Sequence, residues 1–145
     1  MSPQPAITEL LLHRGPMLLV EEVLEADVEQ VVVSARVDAD AWYAEAGGAM
    51  PAWVGIELMA QAIAAYSGLQ ARAQGQSPRI GYLLGTRAYR AKFAHFPAPA
   101  RLVVSARCAF RDQSGLGAFD CELRHQGEVL AEATLKVFET PRGGA

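Results

Sequence analysis

The sequence predicts an α+β domain in which an antiparallel β-sheet wraps around one long central helix, at about residues 51–74. Three observations predict it. The run PAWVGIELMAQAIAAYSGLQA, from Pro51 to Ala71, is apolar around nearly the whole helical wheel, which marks a helix covered on most sides. β-rich runs stand on either side of it, two before and four after, and turn residues separate them. At 145 residues and 51% hydrophobic, the chain fits one domain over residues 1–145 with enough apolar side chains for a core.

In chain order, residues 17–24 and 28–37 read as strands joined in a hairpin around Ala26-Asp27. Pro51 suits a first helical turn, and Gly75 with Pro78 stops the helix. Strands follow at 81–89, 102–111, 117–124 and 129–138, broken by Pro97-Ala98-Pro99, by residues 112–115 and by residues 125–127. Apolar and polar residues alternate in LVVSARCAF (102–110) and ATLKVF (133–138), the pattern of a sheet with one buried and one wetter face. Two strands, a buried helix and four strands make the hot-dog arrangement.

The net charge of -3 and the lack of a basic cluster exclude nucleic acid as the expected partner. The start, MSPQPAITELLLHRGP, lacks the basic-then-apolar order of a signal peptide, so a cytoplasmic location is expected. The helix is long enough for a membrane span, but a central Glu–Gln pair and many small residues argue against one. Cys108 and Cys121 fall in strand-like runs and read as lone buried thiols, not a disulfide or a metal site. No P-loop and no ligand-spaced Cys and His appear, so neither nucleotide nor metal is expected.

Glu57 is the only formally charged side chain between Pro51 and Ala71. A carboxylate inside an apolar helix loses hydration worth about several kcal/mol unless it is paired, hydrogen-bonded or protonated. Leu or Met would fill the same space without that loss, so an ionisable group here is a candidate for chemistry. The competing reading is a Glu on the one polar edge of an ordinary surface helix. Gln61, four residues on, shares its face and can hold the carboxyl.

Longer stretches carry a family likeness. LLLHRGPMLLVEEVLE (10–25) resembles the L-P-H-R-x-P-x-L-L-V-D opening of the bacterial 3-hydroxyacyl-[acyl-carrier-protein] dehydratases. MPAWVGIELMAQA (50–62) resembles their M-P-G-V-L-x-x-E-A-L-A-Q helix start, with Glu57 and Gln61 on the family's Glu and Gln. Phe93, the turn 97–101 and Leu102 resemble the later K-F-x-x-x-V-x-P-G-D-x-L stretch. Within that superfamily, Leu84-Gly85-Thr86-Arg87 and Phe96-Pro97-Ala98 look like the branch associated with aryl-polyene biosynthesis.

The resemblance implies conversion of a 3-hydroxyacyl thioester to the trans-2-enoyl thioester by general acid/base catalysis. It implies no cofactor beyond the phosphopantetheine of an acyl carrier protein, which carries the substrate. It also implies at least a homodimer, or a heterodimer with a related hot-dog subunit. In the dehydratase relatives acid and base come from different subunits of the dimer.

One departure matters. The general dehydratases carry a catalytic His in G-H-F-P seven residues before the motif Met, and here that position is Tyr43. His95-Phe96-Pro97 imitates G-H-F-P but follows the helix, and reads as a strand-connecting turn with His95 at the surface or the tunnel mouth. His125, beside Gln126-Gly127, reads as solvated.

His13 is then the best imidazole for the base, with an unperturbed pKa near 6.5 suited to proton transfer. A His in a short N-terminal turn often only caps or packs, which is the competing view. Tyr43 is the rival candidate, a phenol able to orient a substrate but a poor base at neutral pH. In this scheme His13 takes the C2 proton, and Glu57, its pKa raised by burial, protonates the leaving C3 hydroxyl. Gln61 holds Glu57, and free backbone N–H groups at the helix start, around Ala52 and Trp53, receive the enolate oxygen.

Met17, Trp53, Tyr82 and Phe93 are candidate tunnel walls, although aromatic and Met residues at such spacing more often form plain core. Arg87, Arg90 and Lys92 form a basic row that the carrier protein would meet, weighed against a solvated strand face. Two alternatives stay open: a thioesterase on the same fold, and a catalytically weak acyl-binding or heterodimer subunit.

Overall fold

The computed structural model describes residues 4–79 and 81–140. Two 3-10 turns, Ile7–Glu9 and Gly15–Met17, precede β1 (Val20–Ala26) and β2 (Gln30–Val37). A short β3 (Met50–Pro51) leads into α1 (Val54–Ala73). Then come β4 (Gly81–Ala91), β5 (His95–Phe96), β6 (Ala100–Arg111), β7 (Leu116–His125) and β8 (Glu128–Glu139). The main sheet has six strands in the order β1-β2-β6-β7-β8-β4, every pair antiparallel, and β3 pairs with β5 in a separate two-stranded ladder. This is the hot-dog fold.

Turn chemistry sets the registers. The Asp27 carboxylate accepts the N–H groups of Glu29 and Gln30 at 2.8 and 3.0 Å, closing the β1–β2 hairpin. Gln126 and Gly127 both take positive φ, 51° and 83°, the two-residue turn that matches the twist of β7 and β8.

Alternation sends Val31, Val33, Ala35 and Val37 of β2, Leu102, Val104 and Ala106 of β6, and Phe119, Cys121 and Leu123 of β7 to one buried face. Leu58, Met59, Ala62, Ala65 and Tyr66 of α1 pack on that face. The Tyr66 ring meets Phe119 edge-on at 5.4 Å, and its hydroxyl donates to Val28 O at 2.6 Å. Both cysteines are free: Cys121 is buried and Cys108 half-buried. Burial pushes the Cys121 thiol up to about 12.

Three expectations about boundaries are corrected. The first strand starts at Val20, not at Met17, because Gly15 (φ 58°) and Pro16 turn the chain into a 3-10 segment. The helix starts at Val54, not at Pro51, because Met50 and Pro51 pair with Phe96 and His95. His95 therefore lies in β5, not in a simple connecting turn. This β3–β5 clamp fixes the helix start. Ala52 N–H donates to Ala94 O at 2.9 Å, and the Tyr89 hydroxyl donates to Ala52 O. Burial raises the Tyr89 phenol to about 12, so it remains a donor.

The N-terminal segment lies directly on α1. A Cβ at Gly68 would strike the backbone of Leu10, so only glycine admits this approach. Arg14 ties the segment together, donating to the carbonyls of Thr8, Leu11 and His13 at 2.7 Å.

Candidate active site

Glu57 sits in the first turn of α1, at the rim of a cavity of about 370 Å³ beneath the N-terminal segment. Its side chain is 36% exposed, so the full burial expected of it is not found; the helix is covered on its other sides and open here. Gln61 Nε2 donates to Glu57 Oε1 at 3.0 Å. The same amide donates to Met17 O at 2.7 Å and accepts the N–H groups of Leu19 and Val20 at 2.8 and 3.3 Å. Gln61 is fully buried and uses every hydrogen-bonding position an amide has. It ties the acid to the start of β1.

His13 lies across the cavity mouth, with Nε2 3.6 Å from Glu57 Oε1 and a side chain 34% exposed. Its Nδ1 is buried and has no hydrogen-bond partner among the described residues. Acid and base candidates thus meet within one chain, and both line the cavity.

Other expected residues fall elsewhere. Tyr43 does not line the cavity. Its hydroxyl accepts the Asp38 N–H at 3.0 Å and donates to Arg36 O at 3.2 Å, and burial raises its pKa. That phenol is bonded on both sides within its own loop. Ala52 offers no free N–H, since Ala94 O accepts it. The N–H groups of Trp53 and Val54 have no backbone acceptor among the described residues and stand at the positive end of α1.

Of the four tunnel candidates only Tyr82 lines the cavity. Met17, Trp53 and Phe93 are 51%, 59% and 50% exposed, and Trp53 leans on Trp42 with ring centroids 6.5 Å apart. Trp53 precedes the helix once the start moves to Val54, which carries its ring outside. The walls that were missed are Leu10, Ala60, Ile63, Ala64, Ser67 and Val137. Ala60, Ala64 and Ser67 follow Glu57 at helical spacing, a row of small residues that would have signalled a groove.

His95 pairs with Glu45 at 2.7 Å on the surface. His125 is half-buried, not fully solvated, with Nδ1 3.1 Å from Arg101 O. In the basic row, Arg90 and Lys92 pair with Glu132 and Glu128 of β8, while Arg87 lies exposed on β4. Among the described residues no helix is long and apolar enough to cross a membrane.

Fold and site together define a hot-dog protein with a His–Glu couple over a cavity at the start of its central helix. The chain belongs to the ApeP-like family, ApeP dehydratase, whose pattern it matches over residues 5–143. Among solved structures it is similar to the dehydratase heterocomplex ApeI:P from Xenorhabdus doucetiae, at 28% identity and a TM-score of 0.90, over 97% of this chain and 94% of that one.

More distant likenesses show the fold alone. The TT0310 protein from Thermus thermophilus is 22% identical, with a TM-score of 0.63, over 87% of this chain and 98% of that one. A hypothetical thioesterase with coenzyme A from Streptococcus pneumoniae is 19% identical, with a TM-score of 0.62, over 83% and 86%. Among curated proteins none matches this chain.

Proposed function

We propose that this chain dehydrates a 3-hydroxyacyl thioester, presented on the phosphopantetheine of an acyl carrier protein, to the trans-2-enoyl thioester. The observation that carries the reading is the His13–Glu57 couple, 3.6 Å apart at a cavity mouth, in a chain of a dehydratase family. His13 Nε2 removes the C2 proton, and the C–H electrons form the C2=C3 bond. Glu57 donates the proton that the C3 hydroxyl takes as it leaves as water. The positive end of α1 favours the negative charge that builds on the thioester oxygen. After each turnover the imidazolium faces the carboxylate, and the proton returns across that short gap. The scheme needs no cofactor beyond the substrate's own phosphopantetheine arm.

A related hot-dog subunit is the expected partner, in the cytoplasm. Support comes from the heterocomplex found for ApeI:P and from the outer edge of β4, unpaired among the described residues and bearing exposed Tyr82, Leu83 and Leu84. A long apolar edge left open invites pairing. The aryl-polyene branch of the family supplies the substrate expectation, an unsaturated chain built on the carrier protein.

The test is turnover of 3-hydroxyacyl carrier-protein thioesters by the purified chain, alone and with the related subunit. Glu57→Gln and His13→Ala are each expected to lower kcat at least about a hundredfold, the scale of a lost general acid or base. Wild-type activity surviving in both variants sinks the assignment. Release of free thiol in place of enoyl product would make the chain a thioesterase. An inert but folded wild type that activates its partner would make it an accessory subunit.

A further inference from the structure

One phenol reaches the start of α1 without lining the cavity. Tyr89 lies on β4, packs against the core and is absent from the walls below the His13–Glu57 couple. Its hydroxyl donates to Ala52 O, the carbonyl at which the helix opens. The Gly55 N–H donates to the same carbonyl at 2.9 Å, and the Ile56 N–H to Trp53 O at 3.2 Å, so α1 begins in a tight turn.

β4 is bent to deliver that ring. Arg87 pairs with Thr134 and Arg90 with Glu132, so Ala88 and Tyr89 together stand opposite Ala133. This is a β-bulge, a device that re-aims a side chain. Ala88 takes φ 50°, a left-handed conformation that residues other than glycine rarely adopt. Such outliers persist where the surroundings over-determine them, and they gather at functional sites. Beyond the bulge, exposed Arg90 and Lys92 pair with Glu132 and Glu128 of β8, which leaves Tyr89 on the inner face.

The helix makes room for the hydroxyl. A Cβ at Gly55 would strike the Tyr89 oxygen, and glycine inside a helix is less favourable than alanine. Ala52 O does not need the phenol to be satisfied, since it already accepts from Gly55. Phenylalanine would fill the space of the ring with no hydroxyl to bury. Packing alone therefore asks for neither the hydroxyl nor the glycine. Together they hold Ala52 at both ends, its N–H on Ala94 O and its carbonyl on Tyr89, just ahead of the turn that carries Glu57.

We propose that Tyr89 is a positioning residue of the dehydration. Through Ala52 O its hydroxyl fixes the first turn of α1 in place. That turn carries Glu57 and the positive end of the helix, the two features on which the moving charge of the transition state depends. A first turn free to shift would still admit the thioester but meet it out of line. Misplacement of that kind slows the chemical step more than it weakens binding. The inference rests on the dehydratase reading of the cavity.

The test is steady-state dehydration of a 3-hydroxyacyl carrier-protein thioester by the full chain, in the assembly in which the wild type turns over. Tyr89→Phe keeps the ring and removes the oxygen. It is expected to lower kcat about tenfold, the scale of one hydrogen bond, with KM within about twofold of wild type. Gly55→Ala pushes the hydroxyl off Ala52 O and should give the same loss. The double variant should be no slower than either single one, because both changes break the same bond. Amide exchange at Gly55, followed by NMR, should quicken about tenfold in Tyr89→Phe, a reading that needs no turnover.

Kinetics are read at a temperature where denaturation curves show each variant native, so a merely structural role would lower the midpoint and leave kcat intact. An unchanged kcat in folded Tyr89→Phe overturns the inference, as do losses that multiply in the double variant or an unaltered exchange at Gly55. If the wild type turns over and Tyr89→Phe matches it, only the positioning role falls. If the wild type makes no enoyl product, the dehydratase reading falls and the role with it.

Discussion

Gln61→Leu removes the side chain that hydrogen-bonds the central helix to the segment entering β1. Leucine occupies a similar volume without polar atoms, so the change isolates the hydrogen bonds. Four are lost: the N–H groups of Leu19 and Val20, the carbonyl of Met17 and the carboxyl of Glu57 each lose a partner. At a net of about 1 kcal/mol per bond, with more for the buried Val20 N–H left unpaired, the loss is about 4 kcal/mol. Against a typical total of about 5–15 kcal/mol, that is a large share of the stability.

Guanidinium denaturation of wild type and variant gives the number directly, provided the slope m is unchanged. A loss below about 1 kcal/mol would refute the idea that this amide fastens β1 to the helix. Gln61→Glu separates the two roles of the residue. It keeps an acceptor for Leu19 and Val20 but sets a second carboxyl against Glu57, where two like charges do not both ionise freely. Turnover should then fall further than stability does.

Two other outcomes follow from local geometry. Glycine to alanine inside a helix ordinarily stabilises by about 1 kcal/mol, but Gly68→Ala should destabilise by about 1–3 kcal/mol, because the new methyl pushes on Leu10 backbone. An unchanged or raised melting temperature would contradict that close approach. Stability should also decline in alkali. Burial raises the Cys121 thiol from 9.0, and the Tyr89 phenol from 10.0, to about 12 in the folded protein. Both groups therefore favour the folded state fully below their unfolded values, and that contribution is lost as pH climbs from about 9 towards 12. Denaturation midpoints across that range should fall less steeply for Cys121→Ala than for wild type, and parallel curves would show that the thiol contributes nothing.

Features that depend on neighbours in the chain were legible in the sequence. The 3.6-residue period placed Glu57 and Gln61 on one helical face, and the alternation in β6 and β8 announced one buried and one wetter face. Asp27, Asp112 and Gln126-Gly127 marked the turns, because their side chains or backbone freedom act within a few residues. The lone charge of the apolar helix brought Glu57 forward, and the Tyr at position 43 left His13 as the best imidazole.

Tertiary structure decided the rest. β3 and β5 are only two residues each, too short to show a period, and their pairing moved the helix start from Pro51 to Val54. That shift carried Trp53 to the surface and occupied the Ala52 N–H. Tyr43 looked available until its hydroxyl was found bonded on both sides within its own loop. The 3.6 Å between His13 and Glu57 spans 44 positions of sequence, and no local preference specifies it. It arises because Gly68 lets Leu10 rest on the helix, Arg14 folds the segment onto itself and Gln61 grips the backbone of Met17, Leu19 and Val20. Local periodicity chose the acid and its holder, and long-range packing brought the imidazole to meet them.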